Sequence, residues 1–385
     1  MRIALLIERM DPSRGGRERS TQQIAAALAR RGHEVVVLCQ EGASDSPGVE
    51  VCPLGARGRL RWSRLAHYVA DARRAFREAD YDVVHAVLPV PGADVYQPRG
   101  GTVPAQRRAN QRRRPAWLRA CFDLAEPANR CRRRLARLER RVMADASVVC
   151  LAVSEMVAEE FRRHYGRTRG VRVIYNGVDV PDPDGPRRER WRRERRASIG
   201  AADDAAVFLT VATNPRLKGV GEAVEALFGA GRTGARLVVV GDERGEARRR
   251  AEALGAGDRV HVFGRTDEVF PWYAAADAVV LLSWYDPCSR VVLEAVRWRL
   301  PAITTRFNGA AEVLAGGAGI VVDSPRETAA VRAAMDELAD PARRAARADA
   351  CRDVADGLSV DRHVDELLEV YQAVAHGTRR EGPRP

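Results

Sequence analysis

Residues 206–241 read AVFLTVATNPRLKGVGEAVEALFGAGRTGARLVVVG. Ala206 to Thr213 is an apolar, β-branched run of the kind that forms a buried strand. Asn214-Pro215-Arg216-Leu217-Lys218-Gly219 interrupts it with a proline and a glycine, and Val220 to Phe228 then follows as a helix. Ala235 to Gly241 is a second apolar strand. Strand, helix and strand in this order make the repeating unit of a parallel sheet, because parallel neighbours need a crossover.

The same alternation runs outward in both directions. Downstream come a helix at Glu246 to Ala253, a strand at Val260 to Phe263 and a short helix ending at Ala276. Strands at Ala278 to Leu282 and Ala302 to Thr305 bracket a helix from Ser289 to Arg299. Upstream, Arg2 to Ile7 is a strand, Gly15-Gly16 a loop and Ser20 to Arg31 a helix. Glu34 to Cys39 is the next strand, with others at Asp82 to Ala86, Ser147 to Val153 and Val171 to Tyr175. The expected fold is α/β: two facing Rossmann-like, doubly wound parallel-sheet domains with a cleft between them. Residues 1–180 form the first, 181–200 a basic linker and 201–357 the second, with a C-terminal helix at 358–378 returning to the first.

Composition narrows the class. The chain has 385 residues, is 45% hydrophobic and 6% aromatic, and so has the make-up of a folded globular protein. No apolar run approaches the roughly 18 residues that span a bilayer. Met1 to Met10 is interrupted by Glu8 and Arg9 and reads as a first strand, not as the core of a secretory signal. Seven dispersed cysteines without a CxxC pair point to reduced thiols and a cytoplasmic setting. The seven histidines are equally scattered, so no protein-held metal is expected.

The net charge of +12 is unevenly placed, and its 64 basic residues are 63 arginines and one lysine, Lys218. Arg107 to Arg141 holds thirteen arginines against Asp123, Glu126 and Glu139, and Arg187 to Arg196 seven against Glu189 and Glu194. Trp117, Leu118, Phe122 and Leu124 lie among the first group, a mixture suited to an anionic membrane surface. Nucleic acid is the competing partner, but no DNA- or RNA-reading motif accompanies the arginines.

Three loops of the second domain carry the chemistry. In the first, Lys218 beside Gly219 at a helix start suits phosphate, where an ammonium point charge is not replaceable by a guanidinium fork. In the second, Asp286-Pro287-Cys288-Ser289-Arg290 leads into Val291-Val292-Leu293-Glu294. Pro287 stops the helix short of Asp286, so Asp286 lies on the loop and Glu294 in the second turn, around amides free to meet an anion. Two such acids suit the vicinal hydroxyls of a nucleotide sugar. The plain alternative is a turn-forming Asp286 and a solvated Glu294. The third loop, Arg306-Phe307-Asn308-Gly309, again joins strand to helix. No GxGxxG follows the opening strand, which counts against a dinucleotide-linked oxidoreductase.

Together these pieces resemble the retaining glycosyltransferases of family 4, which have the two-Rossmann GT-B fold. The matching motifs are Gly15-Gly16, Gly32-His33-Glu34-Val35, Asn176-Gly177-Val178-Asp179, Lys218-Gly219, Phe263-Gly264, Ala276-Asp277, the acids Asp286 and Glu294, and Leu300-Pro301-Ala302. Within the family the first domain is most similar to bacterial glucosyltransferases of lipopolysaccharide core heptose. Asp94-Val95-Tyr96 and the arginine-rich segment behind it stand where those enzymes contact the membrane. The resemblance implies that Lys218 and Arg216 neutralise a donor diphosphate, Glu294 holds ribose and Asp286 the donor sugar. It further implies a donor site completed by Gly15, Gly16, Gly264, Arg265, Ser289, Arg290, Val291, Asn308 and Gly309, with Asp94 on the acceptor side.

The reaction implied is transfer of a hexose from a UDP-sugar to a lipid-linked or envelope glycan, without metal or cofactor, at the inner face of the cytoplasmic membrane. Three departures bear on it. Asp286 stands where the family usually has glutamate, Cys288-Ser289-Arg290 replaces Phe-Gly-Leu, and Ser20 stands near the place of an acceptor-side acid. Rival readings are a nucleotide-sugar epimerase, an inverting transferase, a non-catalytic sugar binder and a basic nucleic-acid-binding protein.

Overall fold

A computed structural model describes residues 1–12, 15–115, 117–119, 121, 128–228 and 234–381, the side chains of 378–381 excepted. The chain divides into two compact units, Met1–Gly177 with the segment from Val360 onward, and Val178–Ser359.

The first unit is built on seven strands: β1 (Arg2–Leu6), β2 (Glu34–Cys39), β3 (Val49–Pro53), β4 (Val83–Ala86), β5 (Val95–Tyr96), β6 (Val149–Ala152) and β7 (Val171–Val173). All pair in parallel in the order β3-β2-β1-β4-β5-β6-β7, with Ile3 opposite both Val35 and Val83. The second unit has six: β8 (Val207–Val211), β9 (Arg236–Val240), β10 (Val260–Phe263), β11 (Ala278–Leu281), β12 (Ala302–Thr305) and β13 (Gly319–Val322). Their order, β10-β9-β8-β11-β12-β13, is built the same way. In each sheet the first strand separates a neighbour that follows it from one that comes much later. That reversal opens a crevice at the strands' carboxyl ends.

Five helices of the first unit are α1 (Gly16–Arg30), α2 (Arg61–Glu78), α3 (Val103–Arg112), α4 (Arg130–Ala144) and α5 (Glu155–Tyr165). The second unit has α6 (Arg187–Ser198), α7 (Val220–Phe228), α8 (Glu246–Ala253), α9 (Phe270–Ala275), α10 (Arg290–Arg297), α11 (Thr328–Ala339) and α12 (Pro341–Ala355). The last helix, α13 (Val360–Glu381), sends Val364, Leu367, Val370 and Tyr371 into the first unit's core. Central strands are buried on both faces, as in Ile3 to Leu6 and Val207 to Leu209. Such strands read as continuous apolar runs, which is why they were legible.

Residues 181–200, expected as a linker, lie inside the second unit. Arg196 is buried and Arg192 half-buried in α6, and both reach Asp277 at 3.2 and 2.9 Å. Arg192 also donates to the carbonyls of Ala274, Ala275 and Ala276 at 3.2 to 3.3 Å, capping the end of α9. Arg196 donates to Ala202, Ala205 and Ala275 as well. Cation–π contacts of Arg188 over Trp298 and Arg195 over Trp272 complete the seam.

The other arginine-rich segment is arranged differently. Arg133, Arg134, Arg137, Arg140 and Arg141 of α4 are all exposed, at spacings that put them on one side of the helix. Leu135 and Leu138 turn the opposite way against the core. Glu139 is buried: Tyr96 donates to Oε1 at 2.8 Å, while Tyr165 Oη and the Val103 amide donate to Oε2. Burial holds its carboxyl above the ordinary range despite these donors. Glu139 therefore anchors the helix and does not offset the exposed charge. Val95 and Tyr96, expected at a membrane-facing segment, form a fully buried strand instead. Phe122 and Leu124 lie outside the described residues.

Candidate active site

The second sheet brings three loops together at its reversal. The loop after β8 ends in Lys218-Gly219, the loop after β11 carries Asp286, and the loop after β12 carries Asn308. These strands are consecutive in the sheet, so their carboxyl ends point loops at one spot. Lys218 Nζ pairs with Asp286 Oδ2, the two side chains 21% and 12% exposed. The Trp284 amide donates to the Leu217 carbonyl at 2.9 Å, tying the first two loops through their backbones.

Gly219 permits that approach. Its φ is +65°, and a Cβ there would lie 2.2 Å from the Leu282 carbonyl oxygen. Any side chain would thus push the Lys218 loop off the end of β11. The third loop is locked by Asp286 and Asn308, which form a parallel bridge. The Asp286 amide donates to Phe307 O at 2.9 Å and the Gly309 amide to Asp286 O at 2.9 Å. Asn308 Oδ1 accepts from the Ser289 and Ala310 amides at 3.2 and 3.1 Å, and its Nδ2 donates to Thr304 Oγ1 at 2.9 Å.

Helix α10 starts at Arg290, with Ser289 at its N-cap. Glu294 is 8% exposed and is not solvated. Tyr273 Oη donates to Glu294 Oε2 at 3.1 Å, and Arg290 Nη2 lies 3.4 Å from Oε1. The Val291 carbonyl is 3.4 Å from the same tyrosine hydroxyl. Tyr273 and Thr304 are partners that sequence reasoning missed. A fully buried tyrosine needs a partner for its hydroxyl, yet nothing in the string says which acid supplies it.

Other expected residues fall elsewhere. Arg216 is 73% exposed and turns to Glu246 at 3.0 Å, at the start of α8. Gly264 and Arg265 follow β10 at the edge of the sheet, where both are exposed and Arg265 pairs with Glu243 at 3.5 Å. In the first unit Gly15 is extended, with φ 170°, and Gly16 opens α1. Asp94 Oδ2 accepts from the Val84 amide at 2.7 Å, so this carboxylate ties β5 to β4. Ser20 meets Arg99, whose Nη1 donates to its Oγ at 2.9 Å. Among the described residues no cluster of three or more His, Cys, Asp or Glu side chains could hold a metal ion.

A cation paired with an acid at the reversal of a parallel sheet, beside the amides of a helix start, is an arrangement suited to the phosphates of a nucleotide. The model described as Glycosyltransferase Family 4 matches residues 14–181, and Glycosyl transferases group 1 matches residues 192–353. The D-inositol 3-phosphate glycosyltransferase of Nocardiopsis dassonvillei is 30% identical over 93% of this chain and 90% of its own. The lipopolysaccharide glucosyltransferase WaaG of Escherichia coli K12 is 26% identical over 81% of this chain and 82% of its own.

Among solved structures, that of WaaG, described as a glycosyltransferase involved in lipopolysaccharide biosynthesis, superposes with a TM-score of 0.80. It is 24% identical and covers 96% of this chain and 99% of its own. Anabaena Alr3699/HepE in complex with UDP-glucose gives a TM-score of 0.72 at 19% identity, over 96% and 100%. The chain belongs to glycosyltransferase family 4, and it is a glycosyltransferase that uses nucleotide sugars.

Proposed function

We propose that the enzyme moves a hexose from a UDP-sugar to a lipid-linked or cell-envelope glycan, retaining the anomeric configuration. The observation that carries this reading is Lys218, the one lysine of the chain, held on Asp286 at the sheet reversal. A hexosyl diphosphate seated there meets the ammonium with its phosphate and the carboxylate with its sugar hydroxyls. Glu294, kept by Tyr273 and Arg290, is in place for ribose. The UDP-glucose complex of Alr3699/HepE supports the choice of base and the name of WaaG the choice of acceptor.

The bond from the anomeric carbon to the diphosphate oxygen breaks, and a bond to the acceptor hydroxyl oxygen forms on the same face. The acceptor's proton passes to the departing phosphate. Lys218 stabilises the charge that grows on that phosphate, a task for a preorganised cation in a partly dry site. No metal enters this scheme, and chelation is expected to leave turnover unchanged.

Lys218→Ala should lower kcat/KM about 100-fold or more while the protein stays folded. Near-normal turnover would sink the assignment. NMR of the product anomer decides retention against inversion.

The exposed arginines of α4, with Trp117 at 74% exposure, support a peripheral position on the inner face of the cytoplasmic membrane. No helix among the described residues is long and apolar enough to cross a membrane. Sedimentation with vesicles containing phosphatidylglycerol, and not with neutral ones, is the expected result.

A further inference from the structure

Glu294 is the buried acid of the second unit's site, and its carboxylate is gripped from two helices. Tyr273 reaches it from α9, its Oη donating to Oε2 at 3.1 Å. Arg290, one turn back along α10, places Nη2 3.4 Å from Oε1. A glutamate side chain loses much rotamer freedom when it is ordered, and one contact would still let the carboxylate turn about its axis. Two contacts on different oxygens fix its plane.

The tyrosine is itself held. Its ring is fully buried and lies 5.5 Å from that of Phe270, tilted by 34°. Arg192 donates to the carbonyls of Ala274, Ala275 and Ala276, so α9 is pinned directly beyond Tyr273. The hydroxyl has one proton and two acceptors in reach, Glu294 Oε2 at 3.1 Å and Val291 O at 3.4 Å. The nearer of them is the carboxylate, which is also the stronger acceptor.

A carboxylate has about four acceptor sites, so each oxygen keeps room for a ligand's donor after Tyr273 and Arg290 are served. Two acceptors in a fixed plane suit the vicinal 2′- and 3′-hydroxyls of a ribose. A ligand that lacks one of them leaves a carboxylate oxygen out of water and unmatched, a cost that a loosely held acid would escape by turning.

We propose that Tyr273 is a positioning residue for the donor. By fixing the Glu294 carboxylate it makes the enzyme select ribonucleoside diphosphate sugars and reject their 2′-deoxy counterparts, thymidine diphosphate sugars included. This rests on reading Glu294 as the acid that holds ribose.

The test is calorimetric titration of the full chain with UDP and dUDP, which differ in the 2′-hydroxyl alone. The native enzyme should bind UDP at least about 10-fold tighter. Tyr273→Phe should cut that preference to about 3-fold or less by weakening UDP, with the dUDP affinity within about 2-fold of native. Glu294→Ala should remove the preference altogether. An equal fall for both nucleotides in Tyr273→Phe would mean that the tyrosine only supports the fold, and overturns the proposal. So does a preference that Glu294→Ala removes and Tyr273→Phe keeps, an outcome that leaves the ribose role of Glu294 standing. A native enzyme that binds UDP and dUDP alike, or a preference that survives Glu294→Ala, defeats that role and the proposal with it. Should Tyr273→Phe fail to fold, 4-aminophenylalanine in place of Tyr273 puts a weaker donor at the same reach. It should lower the UDP affinity alone, and an equal loss for dUDP again overturns the proposal.

Discussion

The two arginine-rich segments look alike as strings and behave oppositely in the fold. In α6 Arg192 and Arg196 face inward and share Asp277 and carbonyls around α9, while Arg187, Arg190 and Arg193 stay exposed, so part of the charge holds the second unit together. In α4 the arginines face outward in a stripe, and the attachment is left to Glu139 with three donors around its carboxylate. Net charge along a sequence therefore says little about where charge is available. What differs is the acid: Asp277 lies under its arginines, whereas Glu139 points away from its own.

The largest effect is expected where a buried pair is broken. Asp277→Ala strands Arg196, whose side chain is 6% exposed, and should cost about 3–5 kcal/mol in denaturant titration. A loss below about 1 kcal/mol would mean that the carbonyl contacts of Arg196 suffice and that α6 is not pinned by charge. Glu139→Ala leaves two tyrosine hydroxyls and an amide without their acceptor, and about 2–4 kcal/mol is expected. Hydrogen exchange in α4 should rise in that variant and stay level in α6.

A smaller effect is a matter of pH. The Glu139 carboxyl is raised by burial, so between its ordinary and its raised value the folded state keeps a proton that the unfolded state has lost. Stability falls as pH rises through that window, by at most about 1.4 kcal/mol per pH unit, and Glu139→Gln should flatten the slope. Smallest in stability, and largest in binding, is the set Arg133, Arg134, Arg137, Arg140 and Arg141 changed to Gln. The thermal transition should hardly move while binding to anionic vesicles disappears. A drop in the transition comparable to that of Asp277→Ala would erase the distinction between the segments.

Much of the fold was legible because buried parallel strands are written as unbroken apolar runs, such as Leu237-Val238-Val239-Val240. Two others were not, since Val49 to Pro53 is interrupted by Glu50 and ends on a proline, and Val95-Tyr96 is too short to show a period. In the site, Lys218, Asp286 and Asn308 stood out because each follows a central strand. Pairings across the sheet did not: Tyr273 meets Glu294 from another helix, and Arg216 goes to Glu246, thirty residues away. The contacts that turned α6 into a staple run through Asp277, more than eighty residues from Arg192. No spacing rule within one segment could expose them.

The solitary Lys218 also gives the protein an unusual chemical handle. Apart from the amino group of Met1, it is the one primary amine of the chain, and its side chain is 21% exposed. An amine-directed acylating reagent therefore reports on a single side chain without any engineering. Peptide-level mass measurement of the label on Lys218, separated from that on Met1, with and without UDP-glucose, tests the proposed donor role on the native sequence.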